Sequence, residues 1–376
     1  MNRIYLDNAA TTKLDSDVLE SMMPYLTTYF GNPSSIYSYG RESRFAIENA
    51  RKSVAKILNA NPAEIFFTSG GTESSNTAIT KSVRDLGCKH IISSKIEHHA
   101  TLHTLENLEK RGEATVSYVK LLENGSVDIN DVENLLANSK EKTFVTLMHA
   151  NNEIGNIIDI HAVGELCKKY DAIFHSDTVQ TVGHIPFDLK NTYVHFITGA
   201  AHKFHGPKGV GILYINENIK INPLIFGGSQ ERNMRAGTEN LYGIVGFAKA
   251  LELATENFKK DSAYIKDLKF YMKAKLESEI EGVSFNGDVL SKSLYTVLSV
   301  NFPKTEKSEF LLFNLDINNI CASGGSACSS GADAGSHVIA ALYNNKLNAV
   351  TVRFSFSKYN TKEEIDTVIE TLKKLI

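Results

Sequence analysis

The sequence predicts an α/β fold: a mostly parallel, mixed sheet of about seven strands covered by helices, followed by a smaller α+β domain. Three observations carry that reading. From about residue 62 to 215, short β-rich runs alternate with helical patterns, the rhythm of strands joined by crossovers. The last two runs are separated by little more than Lys203 to Pro207, too few residues for a helical crossover, so one strand is expected to run antiparallel. Beyond about residue 260 the spacing loosens, and the chain closes on a well-marked amphipathic helix.

The expected strands, in order, are Ile65 to Thr68, His90 to Ser93, Ala114 to Val119, Thr143 to Met148, Ala172 to His175, Val194 to Thr198 and Gly209 to Ile215. Helical candidates lie between them, including Ala100 to Lys110 and Ile129 to Ala137. A long helical pattern runs from Leu241 to about Lys259. A helix near Tyr264 to Glu279 and strands near Tyr295 to Val300 and Ala349 to Phe356 come next. In the last helix Thr361 and Glu364 form a capping box, and Ile365, Val368, Ile369, Leu372 and Ile376 make one apolar stripe. The expected division is a large domain over 14–258 and a small one built from 1–13 and 259–376.

Composition narrows the function. At roughly 150 residues per domain, 376 residues suit two or three domains. Four cysteines, at 88, 167, 321 and 328, are too sparse for a disulfide scaffold and read as reduced thiols, so a cytoplasmic location is expected. The first residues carry no apolar leader, and no stretch reaches the ~20 apolar residues of a membrane span. A net charge of −3 without a long basic run argues against direct binding of nucleic acid.

Four motifs carry chemistry. Thr68-Ser69-Gly70-Gly71-Thr72 follows a strand and opens a helix, so its glycines, hydroxyls and free N–H groups suit a phosphate; an ordinary tight βα turn reads as well. Asp177 ends an apolar strand, where open α/β sheets bind ligands, and could hold a protonated ring nitrogen or cap the next turn. Lys203, boxed by His202, His205, Gly206 and Pro207, is a candidate imine-forming amine, or a solvated loop charge. Cys328 sits in Ala322 to Gly331, a run of small residues expected to expose its thiol. Cys88, Cys167 and Cys321 read as packing or passive positions. No metal is expected: His99 with His103, and His202 with His205, lack a local carboxylate or Cys to complete a site. A phosphate cradle, a lysine amine, a strand-end Asp and a Cys loop together fit pyridoxal phosphate.

With those residues in view, the chain resembles the pyridoxal-phosphate-dependent cysteine desulfurases of the class V aminotransferase superfamily, over nearly its full length. The matching segments are Tyr5 to Thr12, Gly31 to Ser35, Asn151 to Gly155, His202-Lys203 with Gly206 to Gly209, Arg235 to Asn240, Gly325 to Cys328 and Val352 to Ser355. The last Cys motif is similar to that of members with a longer, mobile Cys loop. The resemblance implies that Lys203 forms the imine with the cofactor and moves the α-proton. It implies that His98 stacks on the pyridine ring and shares in proton transfer, that Asp177 pairs with the ring nitrogen, and that Gln180 and Asn152 lie near the phenolic oxygen. Gly71, Thr72 and His202 are implied to hold the phosphate, and Thr238 to reach the phosphate of a partner subunit in a homodimer. Arg353, assisted by Asn152, is implied to bind the substrate carboxylate. Cys328 is implied to take the sulfur of L-cysteine as a persulfide, releasing L-alanine and serving a sulfur-acceptor protein, an iron–sulfur scaffold or a tRNA-thiolation enzyme. Two positions depart from the pattern. Ala200 replaces a common phosphate-binding Ser, leaving Thr198 or water to supply that bond. Ala332 to His337 replaces the usual Leu-Glu-Pro-Ser-His. The alternatives are a selenocysteine lyase, another class V lyase or transaminase, or a scaffold without activity.

Overall fold

The computed structural model describes residues 3–324 and 335–376, so Cys328 lies outside the described residues. The strands and helices follow in order: β1 (Ile4–Tyr5), α1 (Ser16–Thr27), α2 (Ser38–Ile57), β2 (Ile65–Thr68), α3 (Gly71–Arg84), β3 (His90–Ser93), α4 (His99–Lys110) and β4 (Thr115–Tyr118). Next come α5 (Ile129–Asn138), β5 (Thr143–Thr146), α6 (Ile160–Lys169), β6 (Ile173–Asp177), β7 (Phe196–Ala200), β8 (Gly211–Ile215), α7 (Leu241–Glu256) and α8 (Phe258–Glu279). The remainder is β9 (Ser284–Asn286), β10 (Val297–Pro303), α9 (Leu311–Ile317), β11 (Ile320–Cys321), α10 (His337–Tyr343), β12 (Ala349–Ser355) and α11 (Lys362–Leu375).

Seven strands form one sheet in the order β2-β8-β7-β6-β5-β3-β4. Its pairs are parallel except that β8 runs antiparallel to both β2 and β7, which is the reversed strand that the short 203–207 connection predicts. The strands are apolar on both faces because both faces are covered. Phe67, Val145, Ile197 and Ile212 point into one apolar cluster, while their chain neighbours Phe66, Phe144, Phe196 and Leu213 point into the other. That alternation is the two-residue period of a pleated strand.

A second, antiparallel sheet has the order β12-β10-β9 and buries its own cluster, including Leu268, Phe302, Phe354 and Ile369. The terminal helix carries the expected capping box, and the four residues Ile365, Val368, Ile369 and Leu372 are fully buried. β1 pairs in parallel with β11 and feeds the N-terminal segment between the two sheets. There the Ala9 N–H donates to Ser355 Oγ at 2.8 Å.

Two helical features differ from the sequence pattern. The run from Leu241 is two helices, broken at Asn257 (φ −95°, ψ 2°), whose side-chain amide donates to the Leu253 carbonyl at 3.0 Å. An Asn side chain that satisfies the preceding turn lets the main chain leave the helix there. Helices α1 and α2 precede the region where the alternating pattern is readable. In α1, Leu19, Met23 and Leu26 are exposed while Val18 and Met22 are buried, so apolar residues surround the helix and no single stripe marks it.

One buried ion pair fastens the loop before α7 to the sheet. The Arg51 guanidinium donates to both oxygens of Glu231, at 2.7 and 2.8 Å, and to the Ile65 carbonyl at 2.8 Å. Glu231 also accepts the Phe67 N–H at 2.9 Å, and it heads three consecutive left-handed residues, Glu231, Arg232 and Asn233 (φ 45°, 56° and 66°). Removing one partner strands a buried charge, so Glu231→Ala is expected to cost about 3–5 kcal/mol of stability, read from urea unfolding. The same truncation at Glu133, whose pairing with Lys169 is exposed, is expected to leave the urea midpoint unchanged.

Candidate active site

The C-terminal ends of the parallel strands open into a cavity of about 230 Å³. Elements from across the chain converge on it: Gly71 and Thr72 at the start of α3, His98 before α4, Asp177 at the end of β6, Gln180 in the next turn, Lys203 after β7 and Arg353 from the second sheet. Open α/β sheets bind ligands in this place because the loops after the strands splay apart there.

Lys203 follows β7 in a single 3-10 turn, Ala201–Lys203. Its amine reaches the N-terminal segment and donates to the Ala9 carbonyl at 2.7 Å and the Ala10 carbonyl at 2.9 Å. It is therefore not the solvated loop charge of the alternative reading. Asp177 serves both readings offered for it. Its Oδ1 accepts the Val179 N–H at 3.0 Å and the Thr198 hydroxyl at 3.3 Å, and the carboxylate lines the cavity as well. Gln180 donates to the Ala9 carbonyl at 3.0 Å, which orients its amide at the rim.

His98 caps α4, its Nδ1 accepting the Ala100 N–H at 3.1 Å. A nitrogen that accepts carries no proton, so neutral His98 holds its proton on Nε2. Burial lowers its pKa, with Lys203 acting the same way and Asp177 opposing. His202 is pulled down to about 4 by burial and by Lys203 and Lys208, and its Nδ1 lies 3.2 Å from the Thr11 hydroxyl. His202 is thus neutral near pH 7.

Arg353 is buried on β12. Nη2 pairs with Asp7 at 2.7 Å and Nη1 donates to the Asn152 carbonyl at 2.9 Å. Its Nε is buried and finds no hydrogen-bond partner among the described residues. An unmet guanidinium donor on a side chain that lines a cavity fits an anionic ligand group. At the other end, Gly70 has φ +154°, and a Cβ on Gly71 would come within 2.5 Å of Val179 Cγ2. Both glycines let the free N–H groups at the start of α3 approach a ligand closely.

The structure thus gathers Gly71, Thr72, His98, Asn152, Asp177, Gln180, His202, Lys203 and Arg353 around one cavity. Thr238 is not among them. It is exposed and lines a separate hollow with Ser69 and Arg235. Thr198 cannot replace the hydroxyl that Ala200 lacks, because it is buried and its own hydroxyl is spent on Asp177. The thiols of Cys88 and Cys167 are buried and their pKa values raised by that burial, Cys88 to about 11. Among the described residues no group of three or more His, Cys, Asp and Glu is arranged to hold a metal ion.

Two contributors escaped the sequence reading. The Ala9 and Ala10 carbonyls are main-chain groups and leave no side-chain signature. Glu97 is fully buried behind His98. Its Oε1 accepts the Met148 N–H at 2.6 Å and its Oε2 finds no partner among the described residues. A lone Glu beside a His carries no recognisable spacing.

The aminotransferase class-V family profile matches residues 4–368. The chain belongs to the aminotransferase class-V family. The chain is 44% identical over 376 residues to a cysteine desulfurase IscS of Dictyoglomus turgidum, covering 99% of this chain and 94% of that one. It is 42% identical to a putative cysteine desulfurase IscS 1 of Bacillus subtilis, covering 100% of both. Among solved structures, a NifS-like protein superposes with a TM-score of 0.91 at 36% identity, covering 99% of this chain and 98% of that one. A NifS-like protein from Rickettsia africae gives 0.89 at 32% identity, covering 100% and 99%. This class-V chain is a pyridoxal-phosphate-dependent enzyme, and the cavity fits that group: an amine for the imine link, a strand-end carboxylate, an unmet guanidinium donor and a helix N-terminus.

Burial, with Asp177 adding to it, holds the Glu97 carboxyl well above the usual carboxylate range. The unfolded chain ionises this group near about 4.3, so above that pH folding must take up a proton. The Glu97 contribution therefore falls as pH rises, until the folded group itself ionises. In Glu97→Gln that slope is absent. The stability of the native chain minus that of the variant is expected to shrink from about pH 4.5 to 7, read from urea unfolding at several pH values; a difference that stays constant would count against a buried neutral carboxyl.

Proposed function

We propose that this chain, a cysteine desulfurase, transfers the sulfur of L-cysteine to Cys328 as a persulfide, releases L-alanine and passes the sulfur to an acceptor protein. The observation that carries the reading is the convergence of Lys203, Asp177 and Arg353 on one cavity in a class-V chain aligned end to end with cysteine desulfurases. Iron–sulfur cluster assembly and tRNA thiolation are the two destinations we consider for the sulfur.

Asp177 would hold the pyridine nitrogen, Gln180 and Asn152 the phenolic oxygen, and Gly71, Thr72, His202 and the start of α3 the phosphate. When bound, pyridoxal phosphate supplies an electron sink that loosens the bonds at the carbon atoms next to the attached nitrogen. The rest falls to the chain. Arg353 lines the cavity and offers its guanidinium charge to the substrate carboxylate, and the Asp7 and Asn152 contacts hold the guanidinium plane while it does so. Lys203 takes the α-proton, and His98, neutral with its proton on Nε2, faces the same space and returns protons. The Cys328 thiolate then attacks the substrate sulfur: an S–S bond forms as the C–S bond breaks, and the electron pair left on carbon accepts a proton to give alanine. Cysteine and a thiol become alanine and a persulfide, with no outside oxidant or reductant.

A homodimer completes the proposal. Exposed apolar side chains concentrate along one stretch of the chain, with Phe30, Ile36 and Phe45 each more than two-thirds exposed, and Phe226 76% exposed near Thr238 in sequence. We take these side chains as part of an interface between two copies, one in which Thr238 would reach the partner's phosphate. The division into 14–258 and 1–13 with 259–376 is supported by the separate apolar clusters of the two sheets. No helix among the described residues is long and apolar enough to cross a membrane, and a free working thiol suits a reducing cytoplasm.

Incubation with L-cysteine is expected to yield alanine and one added sulfur atom on the Cys328 peptide by mass spectrometry. Cys328→Ala is expected to abolish the persulfide while keeping the visible absorbance of the cofactor, and Lys203→Ala to abolish both the normal absorbance and turnover. Alanine formation with no sulfur on Cys328 would point to a lyase instead. Light scattering is expected to give twice the chain mass of 41.5 kDa, and Phe45→Glu to lower it.

A further inference from the structure

Lys203 is gripped at both ends. Its amine meets the Ala9 and Ala10 carbonyls, and its own carbonyl oxygen lies 2.9 Å from Nε2 of His184. The other ring nitrogen of His184, Nδ1, lies 3.0 Å from the Tyr295 hydroxyl, with the two rings edge to face at 5.8 Å. His184 belongs to the turn that begins at Asp177 and carries Gln180. In that turn Gly183 has φ +80°, and a Cβ on it would come within 2.7 Å of Phe204, the residue after Lys203. The turn therefore packs directly on the side chain of Phe204, the lysine's immediate neighbour in the chain. Tyr295 comes from the other sheet. It stands just before β10, and Ser299 of β10 pairs in register with Arg353 of β12.

The protons of this chain of contacts can be placed. A carbonyl oxygen only accepts, so His184 Nε2 carries the hydrogen. Burial favours the neutral ring, which leaves Nδ1 as an acceptor and Tyr295 as its donor. One hydroxyl at the entry to the second sheet is thus linked, through one imidazole, to the main chain of the lysine that follows β7 of the first.

We propose that Tyr295 and His184 form a positioning relay that fixes the backbone of Lys203 relative to the sheet bearing Arg353. Neither residue touches the cavity that holds the reacting groups. The proposal rests on the cysteine desulfurase reading, in which Lys203 moves protons and Arg353 holds the substrate carboxylate. To act, the Lys203 amine must leave the Ala9 and Ala10 carbonyls on a four-carbon stem with many rotamers. Such a stem delivers its tip accurately only when its base is fixed, and misplacement by about 1 Å can cost about 100-fold in rate.

The test uses the cofactor-loaded enzyme and two variants. Tyr295→Phe removes one hydroxyl and keeps the ring; His184→Gln keeps an N–H donor for the Lys203 carbonyl and loses the contact to Tyr295. Tyr295→Phe is expected to lower kcat for alanine release about five- to tenfold, the size of one lost hydrogen bond, with KM for L-cysteine within about twofold. It is also expected to shift the pH midpoint of the cofactor's visible absorbance, which reports on the Lys203 amine, while the thermal midpoint hardly moves. Adding Tyr295→Phe to His184→Gln is expected to change nothing further, because both cut the same relay. An unchanged kcat and absorbance midpoint in both single variants would overturn the relay, as would a rate loss that only follows a fall in thermal stability. If the native enzyme releases no alanine from cysteine yet Tyr295→Phe still shifts the absorbance midpoint, the relay stands and the desulfurase reading falls.

Discussion

The contact on which the site depends is the one between the Lys203 amine and two main-chain carbonyls, Ala9 and Ala10. Those carbonyls belong to a strap, residues 5–12, that leaves β1 and runs between the two sheets. The strap is tied to the second sheet by the Ala9 N–H on Ser355 and by Asn8, whose amide donates to the Ser355 carbonyl at 2.9 Å. It is tied to the first by Thr12, whose N–H and hydroxyl both donate to the His202 carbonyl, at 2.8 and 2.9 Å. Gln180 meets it at Ala9, His202 at Thr11 and Arg353 at Asp7. A short stretch of chain with few distinctive side chains thus sets the relative placement of four groups in the cavity.

Electrostatics in the cavity follow from burial as much as from charge. His98 and His202 are driven toward neutrality, and burial, with Asp177 adding to it, pushes the Glu97 carboxyl well above the usual carboxylate range. The positive groups left are Lys203 and Arg353, the second partly offset by Asp7. A phosphate would then be met mainly by neutral donors and by the positive end of the α3 dipole rather than by a cluster of cations. Such an arrangement would bind the anion without drawing on the lysine and arginine that the proposed reaction assigns to the substrate.

What the sequence made legible is what local patterns encode. Apolar runs of four to seven residues reveal the strands of the large sheet, and a connection too short for a helix reveals the reversal of β8. The Lys203, Asp177 and Gly70-Gly71 motifs were readable because each has a residue type tied to a place in a βα unit. The strap was readable only as the matching segment Tyr5 to Thr12; that its Ala9 and Ala10 carbonyls receive the lysine was not, because main-chain carbonyls have no letter. Glu97 and the Thr198 hydroxyl depend on contacts across the fold, with Met148 and with Asp177, that no spacing within one segment announces. The break at Asn257 needed one side chain to outcompete a helix that continues on both sides, a balance finer than any periodicity resolves.

The Arg353–Asp7 pair shows how the strap shapes the handling of substrate. A guanidinium 2% exposed would be costly without a carboxylate partner, so Asp7 makes its burial tolerable. In the proposed role of Arg353, the same carboxylate would compete with the substrate's own for positive charge and lower the affinity that a free guanidinium would offer. The compromise is geometric. Asp7 takes Nη2 and the Asn152 carbonyl takes Nη1, so the guanidinium plane is fixed from two sides before a ligand arrives. Asp7 lies two residues from Ala9, so the pair with Arg353 and the contacts to the Lys203 amine sit on one short piece of chain. In the proposed reaction, binding at one end of the cavity and release of the lysine at the other would act on the same few residues of chain.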